Sequence, residues 1–97
     1  MRFAIIYRPG TSSPPPEQVS EMAEATGEWM QRHGGELESI EFFVAGGGIG
    51  IIDTDDASVV QRLIAENPFT PYSDIEIRPL IDPATGIGIV QEAYSNR

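Results

Sequence analysis

Neither cysteine nor lysine occurs in the 97 residues, and each absence removes a class of chemistry. Without cysteine there are no disulfides, no thiolate metal sites and no cysteine nucleophile. All six basic residues are arginines (Arg2, Arg8, Arg32, Arg62, Arg78 and Arg97), so no side-chain amine is present for Schiff-base catalysis. His33 is the single histidine, too few for a multi-histidine zinc or iron site within one chain, and no metal is expected. Apolar runs of membrane-spanning length are missing too, so no transmembrane segment is expected. Positive charge is scarce: six cations face fifteen acidic residues, a formal charge of -9. That balance repels nucleic acid and anionic lipid and lacks the basic stripe that phosphate binding requires, which sets both partners aside.

The residues that are present describe one α+β domain spanning residues 1–97, with residues 82–97 as a C-terminal arm. Chemistry here must run on carboxylates, tyrosine, arginine or the one imidazole. A chain this short buries a modest fraction of its surface, which predicts self-association. The first residues have too short an apolar stretch for a secretory signal, and a cytoplasmic location is the expectation.

Phe3 to Tyr7 is a β-branched and aromatic run that stops at Pro9-Gly10 and predicts a first strand, followed by a Ser/Pro loop. From Glu17, the positions Val19, Met22, Ala23, Thr26, Trp29, Met30 and His33 recur at helical spacing, and Gly34-Gly35 supplies a stop. Gly27 within this helix marks a close packing contact or a mild kink. Leu37 to Val44 and Ile49 to Asp53 read as an antiparallel hairpin across Gly46-Gly47-Gly48. Thr54-Asp55-Asp56 offers N-caps for a second helix with an apolar face of Val60, Leu63 and Ile64, which Asn67-Pro68 ends. Asp74 to Leu80 is the fourth strand. Asp82 to Gly86 reads as a turn, and Ile87 to Tyr94 as either a short helix or an edge strand.

The order strand, helix, strand, strand, helix, strand is that of a ferredoxin-like fold, a four-stranded antiparallel sheet with two helices on one face. The helix-covered face is expected to hold Ile40, Phe42, Val44, Ile75 and Ile77. The opposite face carries Phe43 beside Glu41, Glu76 and Arg78, suited to sheet-on-sheet dimerisation around a partly polar cavity.

Glu76 and Arg78 lie two residues apart, so their side chains share a face, and Glu41 is expected to approach from another strand. One reading is a carboxylate general base, Glu76 or Glu41, beside an arginine that binds an anionic group or steadies an enolate. The other is a cross-strand or intersubunit salt bridge. Tyr72 is a candidate proton donor at the pocket mouth, with Asp74 orienting it or Arg78. The structural alternative is a proline-pinned loop with Asp74 satisfying backbone donors. Tyr7 and Arg8 end the first strand, and whether they line the cavity depends on register. The spacing Gly46-x-Gly48-x-Gly50 is a hairpin turn and not a phosphate loop, since no helix follows it.

The pattern Phe69-x-Pro71-Tyr72-x-Asp74-Ile75-Glu76-x-x-Pro79-Leu80, with Ile51-Ile52-Asp53 ahead of an acidic turn and Phe3 near the start, resembles the muconolactone isomerase family. The resemblance implies a dimeric α+β barrel, a homo-oligomer built as a dimer or larger ring, that uses no cofactor and moves a proton around an unsaturated, carboxylated lactone during aromatic-ring catabolism. Glu76 or Glu41 would take the proton, Arg78 hold the anionic group and Tyr72 assist reprotonation, with Tyr7, Arg8, Phe43 and Asp74 around the substrate. Related dimeric α+β barrels imply one alternative, a cofactor-free monooxygenase or cyclase for an aromatic polyketide; a further, non-catalytic alternative is a structural or small-molecule-binding oligomer whose charged pairs only join subunits. The chain departs from the family where Glu41 and the glycine run replace aromatic and histidine residues.

Overall fold

The computed structural model describes residues 1–95 and has the expected order with one added helix. Strand β1 is Arg2–Pro9, helix α1 Val19–Arg32, β2 Leu37–Phe42, β3 Gly48–Asp53, α2 Ala57–Glu66, β4 Ser73–Leu80 and α3 Pro83–Ser95. The four strands form one antiparallel sheet in the order β2-β3-β1-β4, which is the ferredoxin-like arrangement.

Alternation along β1 sorts its side chains between two faces. Ile5 faces the helices and joins Trp29, Ile52, Val60 and Leu63 in the buried core, with Phe3 and Tyr7 packed against it. Trp29 from α1 donates its indole N–H to the Leu63 carbonyl of α2 at 2.9 Å. One residue therefore locks the two helices together. His33, just past α1, is also buried; its Nδ1 lies 3.1 Å from Glu36 Oε2 and its Nε2 3.3 Å from Glu66 of α2.

Local capping chemistry sets the helix limits. Asp56 caps α2 by accepting from the Ser58 backbone N–H at 2.9 Å and the Ser58 hydroxyl at 2.7 Å. In the β2–β3 turn, Gly46 and Gly47 take φ values of 108° and 83°, a region open to glycine and costly for other residues.

Several expectations need correction. Strand β2 stops at Phe42, so Phe43 and Val44 belong to the turn and not to opposite sheet faces. Of the five residues expected under the helices, Ile40 and Ile75 do pack against the core, while Phe42 and Ile77 are largely exposed. Both lie on edge strands, and two helices cover only the centre of the sheet. Nothing lies within 4 Å of where a Gly27 side chain would begin, so no close contact explains that glycine. Asp82 does not open a free turn: it accepts from the Thr85 N–H at 2.9 Å and the Thr85 hydroxyl at 2.7 Å, starting α3 at Pro83. An acidic residue before proline is a turn signal and a helix-start signal alike.

No residue of α3 is buried, and the molecule measures 60 Å along its longest axis against 28 and 21 Å across. Among the described residues no helix is long and apolar enough to cross a membrane.

Candidate functional site

A cavity of about 570 Å³ lies between the helix-facing side of the sheet and α1, on the opposite side of the sheet from the charged residues. Its size falls in the range that holds a drug-sized ligand. Strand β1 supplies Ile5 and Tyr7, β2 supplies Leu37 and Ile40, and α1 supplies Trp29 and Met30. The glycine run 46–48 forms part of the wall because its bare backbone leaves room there.

Two expected site residues reach this cavity. Tyr7 lines it, and its hydroxyl shares a 3.2 Å hydrogen bond with Thr70 Oγ1. Burial pushes the Tyr7 pKa up, an effect partly offset by Thr70, so Tyr7 is a neutral phenol at ordinary pH. Tyr72, at the end of the 3-10 turn Thr70–Tyr72, also lines the cavity. Its backbone carbonyl accepts from Gly10 N–H at 2.9 Å, which pins the Ser/Pro loop over the rim.

The charged candidates lie elsewhere. Arg8, Asp74, Glu76 and Arg78 share the open face of the β1–β4 pair. Arg8 Nη1 donates to Glu76 Oε2 at 2.8 Å, and Arg78 Nε donates to Glu76 Oε1. Glu41 cannot approach Glu76 as expected. It lies on β2, with β3 and β1 between it and β4, roughly 14 Å away at ordinary strand spacing. Phe43 is in the hairpin turn and does not line the cavity.

The hydrogen bonds from Arg8 and then Arg78 hold Glu76 below its ordinary value of 4.5. A carboxylate whose folded pKa is depressed contributes stability above its unfolded pKa and loses it as pH falls through the folded one. A carboxyl-carbon NMR titration is therefore expected to place the Glu76 midpoint below 4.5. A midpoint at or above that value would mean that the Arg8–Glu76–Arg78 cluster does not persist in solution.

Sequence reasoning missed Asn67 and Thr70. Asn67 was legible only as a helix terminator, yet it is 9% exposed and lines the cavity. Its Oδ1 accepts from Phe69 N–H at 2.9 Å, an Asx turn that follows from asparagine's short side chain. Thr70 supports Tyr7 and donates to the Ile64 carbonyl at 2.5 Å. Among the described residues no group of three or more histidine, aspartate or glutamate side chains is arranged to hold a metal ion.

Residues 1–94 match the family described as a domain of unknown function, DUF3303. No curated protein sequence matches the chain. Among solved structures, the chain is similar to 5-chloro-2-hydroxyhydroquinone dehydrochlorinase from Burkholderia phenoliruptrix AC1100, solved with 2,5-dihydroxybenzoquinone. The two share 12% identity and a TM-score of 0.70, covering 88% of this chain and 98% of that one. It is likewise similar to muconolactone isomerase, at 18% identity and a TM-score of 0.70, covering 87% and 93% of the two chains. At such identities the likeness is one of fold, and at that level the resemblance to muconolactone isomerase holds.

Proposed function

Because the chain belongs to the DUF3303 family, whose description assigns no reaction, we propose from its cavity a cofactor-independent enzyme of muconolactone isomerase type. It moves a proton on a small enolisable ring compound. The observation that carries this reading is a ring-sized cavity with Tyr72 in its wall, in a fold shared with two enzymes of small ring compounds. Tyr72 makes no hydrogen bond through its hydroxyl to the described residues, leaving that group available for proton transfer to the bound ring. Tyr7, tied to Thr70, orients the ring.

Glu76, Arg78, Arg8 and Asp74 have a different role in this reading. Their cluster is on the open sheet face, and Glu76 is held ionised by two arginines, which makes it a weak base. We assign these residues, with Glu41, to the surface where two copies meet. The sheet face and α3 together build the homo-oligomer.

Solvent-deuterium incorporation, followed by NMR with muconolactone and a panel of enolisable lactones, tests the proposal. Enzyme-dependent exchange is expected with at least one member. Tyr72→Phe is expected to slow it by roughly 10²–10⁴-fold, the usual range for a positioned acid or base, while Glu76→Gln leaves it within a few-fold. Loss of exchange in Glu76→Gln with retention in Tyr72→Phe would return the chemistry to the open face.

A further inference from the structure

Resting on the same cavity, we infer that its ligand is an uncharged ring compound whose carbonyl oxygen accepts a hydrogen bond from the side-chain amide of Asn67. The orientation of that amide is determined by its neighbour. Phe69 N–H donates to Oδ1 at 2.9 Å, so the NH₂ is the other end. The NH₂ has no hydrogen-bond partner among the described residues. Among the described residues the only fully enclosed side-chain nitrogen or oxygen without a hydrogen bond is His33 Nε2, whose 3.3 Å approach to Glu66 is an ion-pair contact and not an aligned hydrogen bond. The Asn67 NH₂ therefore opens onto the cavity that the residue lines. A donor held in a side chain only 9% exposed is an expensive feature unless something accepts from it.

The charge of the ligand follows from the wall. No lining residue is charged. Arg8, next to lining residue Tyr7, points to the opposite sheet face and is bound to Glu76. A carboxylate entering the cavity would be desolvated with no cation to receive it, inside a chain of formal charge -9. The site therefore discriminates against the carboxylated lactone that gives the isomerase its name. It favours a neutral lactone, quinone or enone, with its ring against apolar walls such as Ile5, Met30 and Leu37.

Coumarin and coumarin-3-carboxylate form a matched neutral and anionic pair, and neither needs to react. In ¹H–¹⁵N NMR of the full chain, coumarin is expected to shift the side-chain NH₂ pair of Asn67. The other side-chain NH₂ pairs come from Asn96 and from the four glutamines, Gln18, Gln31, Gln61 and Gln91, and the loss of one pair in Asn67→Asp assigns it. The carboxylate is expected to bind at least about tenfold more weakly. Asn67→Asp keeps an acceptor for Phe69 N–H and removes the donor, so the fold persists while coumarin binding falls at least about tenfold. Equal or tighter binding of the carboxylate overturns the inference. So does an unmoved Asn67 NH₂, or undiminished coumarin binding by a folded Asn67→Asp protein. Coumarin binding with no deuterium exchange in any substrate sinks the proton-transfer proposal alone, whereas exchange confined to carboxylated lactones sinks this one alone.

Discussion

A stop codon after Leu80 is expected to abolish the proposed homo-oligomer and leave a monomer, read by sedimentation velocity of both proteins at micromolar concentrations. Helix α3 has 13 residues and none of them is buried. Ile81, Ile87, Ile89 and Val90 are each more than half exposed. An isolated helix of about this length is marginal in water even with an alanine-rich sequence. This one contains Gly86 and Gly88, at a cost of roughly 1 kcal/mol each relative to alanine, and four β-branched residues, Thr85, Ile87, Ile89 and Val90, that add to the penalty. Its persistence therefore calls for packing, and no described residue of α3 belongs to the chain's own core cluster. A second copy is the nearest source of an apolar surface, since the open sheet face also presents Ile6, Ile49 and Ile51 only partly covered. Strand β4 ends at Leu80, so truncation there leaves the sheet and core intact and separates assembly from folding. A full-length protein that sediments as a monomer, or a truncated one that keeps its assembly, would remove α3 from the interface.

The second large effect is expected at Gly47. This residue has φ 83°, and a side-chain carbon there would overlap the carbonyl oxygen of Tyr7 on β1. A left-handed conformation costs an ordinary residue about 1–2 kcal/mol. The clash is with backbone, which cannot rotate away, so Gly47→Ala is expected to destabilise by about 3 kcal/mol in total. For a domain of this size that corresponds to a fall in Tm of roughly 12–24 °C by calorimetry. Gly27→Ala provides the contrast. It adds a methyl where nothing lies within 4 Å, in the middle of α1, and is expected to stabilise by about 0.5–1 kcal/mol. Equal behaviour of the two variants would show that the hairpin does not approach β1 as described. Because residues 46–48 also line the cavity, Gly47→Ala is expected to disturb the site along with the fold.

Much of the fold was legible because its signals are local. Alternation in residues 3–7, helical spacing in residues 19–33 and a capping aspartate at 56 each act over a few residues, and each produced the expected element. The last helix was half legible: Asp82-Pro83 reads as a turn until the bonds to Thr85 show it as a helix start. Strand order was accessible from element order, through the small number of topologies that such an order permits.

The site was less accessible, because a cavity is a relation between distant segments. Glu76 and Arg78 were read correctly as sharing a face, and period-two alternation suffices for that. Which face the helices cover is decided by the packing of Trp29 and Leu63 against Ile5 and Ile52. That packing put the charged cluster on one side of the sheet and the cavity on the other.

The amino-acid sequence by itself determined the chemistry on hand, carboxylates, arginines, tyrosines and one imidazole, and the order of strands and helices, since composition and short-range periodicity are properties of the chain alone. Only the tertiary structure decided that Tyr7, Tyr72 and Asn67 meet at one cavity while Glu76 stays outside it. Residues 7, 67 and 72 come together only when β1 pairs with β4 and α1 closes over the sheet. No local pattern encodes a contact across that separation.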